Sequence, residues 1–425
     1  IGYFTAKEAK DIGLNWLLAP VCDINNNPNN PVINLRAWGE DPETVERLTS
    51  AFLKGVSRSN ILTCAKHFPG HGDSEVDSHL DLPVIHNDLS NLSEFELIPF
   101  NSLINQGVSS IMIGHLFFPK IDPIYPATLS KILVNDLLRM KYKYDGLIVS
   151  DALVMNAITN NYSSGSSALL AFNAGIDLIM MPKDIDEAIN SLTDAFYSEK
   201  ISIERLNISR ERRKKQLDLI SNRKDFKKGE FMDEDIKNKF LSDSLRFSKS
   251  IVKKSIIVRE EISIKAANNH INLIQIDNFE QASSKFFPAL NLPRLLGFRN
   301  LIIHQFHINK LPNNRQFLES EHIGNGKIFI QLFLRGKPFM GTKYNNEDWI
   351  YVIKKLEIEK RLSGVVIYGC PYLYEKIRQN IHEKIPLAYS PSQTDEAQNQ
   401  TLKRIIKSNI FGNEFDEKSM NKFTD

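Results

Sequence analysis

Ile61-Leu-Thr-Cys-Ala-Lys-His-Phe-Pro-Gly-His-Gly-Asp-Ser-Glu-Val-Asp-Ser-His79 joins a short apolar run to the densest polar cluster of the chain. The apolar part, residues 61–65, reads as a buried strand. Pro69, Gly70 and Gly72 exclude a regular helix after it, so the His and Asp side chains are expected on a loop. Four of the ten histidines fall between His67 and His86, which marks this loop as the place to look for chemistry. A polar cluster where a buried strand opens into a loop is how α/β enzymes build active sites.

The flanking sequence repeats the theme. Apolar runs suited to buried strands recur at 14–20, 109–114, 146–150 and 176–181, with helical patterns at 43–58, 94–105, 129–140 and 164–174 between them. Alternation of this kind predicts a parallel α/β domain over residues 1–220. Asp23, Lys66, His67, His115 and Asp151 each fall at or just past the end of a strand candidate. That is the layout of the active face of a TIM-type barrel, and an open doubly wound sheet would show it too. Five strands are countable where a closed barrel needs eight, and residue 1 leads straight into a helix. The expectation is therefore a chain that starts inside the barrel. Residues 203–220 read as a charged helix and 221–244 as a linker, with nine Lys/Arg against three acids between Arg210 and Lys228. A solvated face is the ordinary meaning of such a run. Strand candidates at 255–259, 271–276, 301–305, 328–334, 364–368 and 385–389 predict a further α/β/α domain over 245–425.

Composition narrows the class. A hydrophobic content of 42% and a net charge of +2 fit a globular protein and give no reason to expect nucleic acid or an anionic membrane as partner. No apolar run reaches the ~18 residues of a membrane span. Three scattered cysteines make no disulfide framework. The first residues form an amphipathic helix pattern without a charged leader region, and the chain does not begin with Met. Cytoplasm and cell envelope both stay open as compartments.

Several chemistries fit the polar residues. Asp77-Ser-His79 has the makings of a dyad in which a carboxylate orients an imidazole that moves protons near neutral pH. His67, His71, Asp73 and His79 are a possible metal set, although the loop cannot give them helical ligand spacing. Asp151 is either a helix N-cap or a catalytic carboxylate. Lys66, His67 and Arg36 could grip a hydroxylated or anionic substrate, or could simply face solvent.

The run Lys66-His-Phe-Pro-Gly-His-Gly-Asp73 with Asp77-Ser-His79 and Leu82-Pro83 resembles the signature of the glycoside hydrolase family 3 β-N-acetylglucosaminidases. Ala19-Pro-Val-Cys-Asp23, Arg36-Ala-Trp-Gly39, Pro126-Ala-Thr-Leu-Ser130, Ile148-Val-Ser-Asp-Ala-Leu-Val-Met155 and Ala174-Gly-Ile-Asp-Leu-Ile179 match further landmarks in order. Residues 245–425 resemble, more weakly, the α/β/α sandwich attached to the barrel in two-domain members. The resemblance implies a (β/α)8 TIM-type barrel followed by that sandwich, and a retaining hydrolase that removes terminal β-linked N-acetylglucosamine, with peptidoglycan fragments as substrate. It implies Asp151 as nucleophile, His79 as general acid/base oriented by Asp77, and Lys66, His67, Arg36, Asp23 and His115 as substrate-binding residues. No metal and no organic cofactor are implied. Two departures stand out: the family's early Asp-Gln-Glu-Gly-Gly strand end is absent, and Ala152 stands where many members have a second Asp. A phosphorylase acting on the same glycosides and a non-catalytic sugar-binding relative are the rival readings.

Overall fold

The computed structural model describes residues 1–221, 234–263, 269–276, 287–304, 324–334 and 346–407, which divide into two compact units, 1–221 and 234–407. None of the described helices is long and apolar enough to cross a membrane.

The first unit is built on five strands: β1 (Trp16–Leu17), β2 (Leu62–Phe68), β3 (Ser110–Ile113), β4 (Leu147–Ala152) and β5 (Leu178–Met180). All pair in parallel, in the order β1-β2-β3-β4-β5. Sheet order that follows chain order is the winding of a βα-barrel. A doubly wound sheet reverses direction at a switch point, so the ambiguity left by the sequence resolves toward the barrel. Ala65, Ile111, Ile113 and Ile148 pack outward against helix residues such as Phe100, Leu103, Leu133, Leu137, Ala171 and Ala174. Cys64, Met112 and Val149 face the other way, with Trp16, Leu178 and Met180. Each fully buried aliphatic or aromatic side chain in such a layer stabilises the fold by ~1.5–3 kcal/mol. The helices are punctuated as their sequences suggest. Asp41 accepts from the Thr44 N–H at 2.8 Å ahead of Pro42–Ser57, and Gly175, at φ +122°, ends Ser164–Ala174.

Two elements differ from expectation. The run at 14–20 contributes only the two residues of β1, because Pro20 has no N–H to give to a ladder. β2 runs on to Phe68, so Lys66 and His67 lie within the strand rather than beyond it.

The second unit holds β6 (Ile257–Arg259), β7 (Ile262–Ser263), β8 (His270–Ile276), β9 (Arg299–His304), β10 (Lys327–Leu334), β11 (Leu362–Gly369), β12 (Leu387–Ser390) and β13 (Ile406–Lys407). Its main sheet has the order β6-β12-β11-β10-β8-β9, with only β6 antiparallel. The order reverses between β8 and β10, as in doubly wound folds. One face carries Leu273, Ile330 and Leu332 against Trp349, Ile353, Leu373 and Ile377, and the other carries Ile274, Phe329 and Phe333 against Leu292, Leu402 and Ile405. This is an α/β/α sandwich. Of the linker expected at 221–244, residues 222–233 lie outside the described residues, and 234–244 are the first half of helix Glu234–Ser255.

Candidate active site

Asp23 lies on the segment that leaves β1, pinned to β2 by the Cys22 N–H donating to Lys66 O at 2.6 Å. Its side chain is completely buried and fully used. Oδ1 accepts from the His67 N–H at 3.1 Å and the His71 N–H at 2.8 Å, while Oδ2 lies 2.7 Å from His67 Nδ1. Burial pushes this carboxyl up, but attraction to His67 and His71 and their hydrogen bonds outweigh it and hold it down at about 2. His67 Nε2 is 3.3 Å from Arg36 Nη2. A guanidinium only donates, so Nε2 accepts and Nδ1 carries the proton given to Asp23. The Arg36 guanidinium is fixed further by donating to Val32 O at 3.3 Å.

Lys66, within β2, is partly buried. Burial and the neighbouring Arg36 lower its pKa, and the carboxylates Asp151 and Asp23 oppose them.

Asp151 is the penultimate residue of β4. It is not a helix N-cap: its Oδ1 accepts from the Ala152 N–H at 2.8 Å, and the next helix, Asn156–Thr159, begins at Met155. That is the carboxylate's only hydrogen bond among the described residues. Burial raises its pKa, but His67, His115, the Ala152 N–H and Lys66 together bring it below the usual carboxylate value. A half-buried, ionised and sparsely bonded carboxylate at a strand's C-terminal end is well placed to act as a nucleophile.

His79 and Asp77 form the dyad. Asp77 Oδ1 accepts from the His79 N–H at 2.9 Å and lies 2.8 Å from His79 Nδ1. The carboxylate is 1% exposed and the imidazole 17%, so the acid is sunk beneath a ring that solvent can reach. The Ala157 N–H donates to Ser78 O at 3.3 Å, which ties the dyad loop to the segment following Asp151.

Two of the residues expected to contact substrate are deeply set in this geometry. Asp23 is buried with both oxygens hydrogen-bonded, and it organises the loop and His67. His115 is also fully buried: Nδ1 lies 2.8 Å from Thr128 Oγ1 and Nε2 3.0 Å from Ala152 O. It braces the backbone beside Asp151, and burial lowers its pKa. Arg36 and Lys66 are partly exposed, and His67 is buried between Asp23 and Arg36.

The metal set does not assemble. Among the described residues no group of three or more His, Cys, Asp or Glu is arranged around a common point. His71 turns inward to Ser74 and Ser78 instead. Sequence reading missed Asn30, whose Nδ2 donates to His71 O and Gly72 O, both at 2.8 Å, and whose Oδ1 receives the Val32 and Ile33 N–H groups. The Asn/Pro-rich stretch before Arg36 was its signal. Gly72 is obligatory, because a Cβ there would stand 1.6 Å from Ile24 O.

The C-terminal edge of the parallel barrel sheet thus carries a half-buried carboxylate, a His–Asp dyad and a Lys/Arg rim. Residues 1–215 match the model of the glycosyl hydrolase family 3 N-terminal domain, and residues 263–407 match that of the bacterial family 3 C-terminal domain. The chain belongs to glycosyl hydrolase family 3. It is 35% identical over 224 residues to "Beta-hexosaminidase A" of Pseudoalteromonas piscicida, a match covering 48% of this chain and 38% of that one. It is 33% identical over 196 residues to a "Beta-hexosaminidase" of Hydrogenovibrio crunogenus, covering 45% and 54%. The matched region thus spans about half or less of these relatives. The solved structure of a family 3 β-N-acetylglucosaminidase from Paenibacillus sp. str. FPU-7 superimposes with a TM-score of 0.74 at 25% identity, covering 94% of this chain and 76% of that one.

Proposed function

We propose that this protein is a retaining β-N-acetylhexosaminidase that removes terminal, non-reducing β-linked N-acetylglucosamine, with peptidoglycan fragments as its natural substrate. The observation that carries the reading is the Asp77–His79 dyad on the loop tied to the segment after Asp151, in a chain whose relatives are named β-hexosaminidases.

In this mechanism Asp151 attacks the anomeric carbon and forms a glycosyl ester, while a proton on His79 passes to the departing oxygen. Water then enters, His79 takes its proton, and the ester bond to Asp151 breaks. One group serves both steps, and an imidazole suits this because it exchanges protons readily in both directions near neutral pH. Asp77 accepts from Nδ1–H and stabilises the imidazolium. Arg36 and Lys66 donate to sugar hydroxyls, and His67 holds the Arg36 guanidinium in place through Nε2. No step calls for a metal or an organic cofactor.

Turnover of p-nitrophenyl β-N-acetylglucosaminide tests the activity. A stable adduct on the Asp151 peptide after treatment with a slow fluorinated N-acetylglucosaminyl substrate, detected by mass spectrometry, tests the intermediate. Absence of turnover by the folded protein would exclude the reading. Phosphorolysis is a second reading, favoured by the flanking Arg36 and Lys66 and by an acid/base that does not repel phosphate as a carboxylate would. It predicts phosphate-dependent release of the sugar 1-phosphate.

A further inference from the structure

His71 lies in the same loop as the dyad and takes no part in the mechanism above, yet it is among the best-held side chains of the first unit. The residue is 2% exposed. Its N–H donates to Asp23, and its carbonyl accepts from Asn30 Nδ2 at 2.8 Å, so its backbone is anchored to the segment leaving β1. Its ring spans the loop. Nδ1 lies 2.6 Å from Ser74 Oγ, and Nε2 lies 3.1 Å from Ser78 Oγ, in the residue between Asp77 and His79.

The hydrogens can be assigned from the partners. Ser74 Oγ donates to His71 O at 3.0 Å, so its single proton is used there and it accepts from Nδ1–H. Nε2 then carries a lone pair and accepts from the Ser78 hydroxyl. This arrangement needs a neutral ring, and burial holds His71 down at about 4. Every polar atom of the strut is thereby satisfied, and one side of Ser78 is fixed by the ring while its carbonyl is fixed by Ala157.

We infer that His71 is a positioning residue for the acid/base, a strut that holds Ser78 and so fixes the Asp77–His79 dyad against the nucleophile strand. The inference rests on the proposed role of His79. Removing the strut leaves Asp151, Arg36 and Lys66 in place and loosens only the proton-transfer side. Displacing a catalytic group by ~1 Å costs on the order of 10²-fold, and here the loss falls on the step that needs protonation.

The test uses the full chain and aryl β-N-acetylglucosaminides of graded leaving-group pKa, with His71→Phe, Ser78→Ala, His79→Ala and the double variant His71→Phe/His79→Ala. For His71→Phe, kcat/KM is expected to fall ~30–100-fold on poor leaving groups and no more than ~3-fold on the dinitrophenyl glycoside. Ser78→Ala should shift in the same direction by less. The double variant should be no slower than His79→Ala, because both substitutions disable one function. Equal losses on good and poor leaving groups, or fully additive losses in the double variant, overturn the inference. If His79→Ala itself shows no leaving-group dependence, the reading of His79 as acid falls and takes the inference with it. If His71→Phe does not fold, Ser78→Ala alone decides: a leaving-group-independent effect, or none, overturns the strut.

Discussion

At the N-terminal end of β5, Asp177 is buried among partners: the Arg139 guanidinium and the Ile148 N–H on one oxygen, and Ser209 Oγ at 2.6 Å on the other. Arg205 and Arg212 add ion pairs at 3.5 and 3.6 Å. At the C-terminal end of the neighbouring strand, Asp151 is half-buried, and its only hydrogen bond among the described residues comes from the Ala152 N–H. Both are carboxylates on one parallel sheet. The lower one is saturated and clamps helix Ile203–Ser221 to the base of the sheet. The upper one is kept ionised by a single N–H and the field of its neighbours, and its oxygens are sparsely bonded. In a barrel the N-terminal face carries stability and the C-terminal face chemistry. How fully the charge is satisfied, together with how far it is buried, separates the two.

The sharpest way to break this contrast is Asp151→Asn. Turnover of p-nitrophenyl β-N-acetylglucosaminide should fall ~10⁴-fold or more, with the melting temperature unchanged or slightly raised, since an amide needs less solvation than an underpaired carboxylate. Steady-state kinetics beside a thermal melt check both halves. Asp177→Asn should do the converse: leaving three arginines around a neutral group costs about 3–5 kcal/mol, or ~10 °C in melting temperature, with specific activity of the folded fraction preserved. Were the two variants to behave alike, the distinction would fail.

Asp23 sits at the mouth but is bonded like Asp177. Asp23→Asn should therefore give a mixed result: a loss of ~2 kcal/mol together with a ~10–100-fold drop in kcat/KM, because Arg36 and His71 both lean on it. Chemical denaturation and kinetics on one preparation would show whether the two losses travel together.

The smallest effect is on acid stability. His71 ordinarily titrates at 6.5 and is held at about 4 in the fold, so its contribution is complete above pH 6.5 and is lost as pH falls toward 4. Asp23, held at about 2 against 3.8, keeps its contribution down to about pH 4 and loses it below. Denaturation midpoints measured from pH 7 to 3 should decline in that order, and His71→Asn should flatten the upper part of the decline.

Most strand runs of both units were legible because a fully buried parallel strand must be apolar along its length, whereas the two-residue strands β7 and β13 are too short to show such a run. Helix Glu234–Ser255 was hidden by its Lys- and Ser-rich composition, although Ile236, Phe240 and Leu241 carry a helical period. The nucleophile and dyad candidates could be named because Asp151, Asp77 and His79 sit at strand ends and in a Gly/Pro loop. Their resemblance to a known signature did the rest. The partition among the remaining residues could not be read. Asp23, His67 and His115 are as polar as Lys66 and Arg36, and nothing local says which will be submerged.

Residue type and spacing alone therefore set the α/β class, the two-part organisation and the short roll of residues able to do the chemistry, since all three depend on near neighbours along the chain. Pairing order, which separates a barrel sheet from a doubly wound one, depends on contacts between strands tens of residues apart. So does the difference between a carboxylate saturated with partners and one that is sparsely bonded. Asp23 and Asp151 differ in this way because folding places two N–H donors and an imidazole on the first, and leaves the second with one N–H and the field of its neighbours.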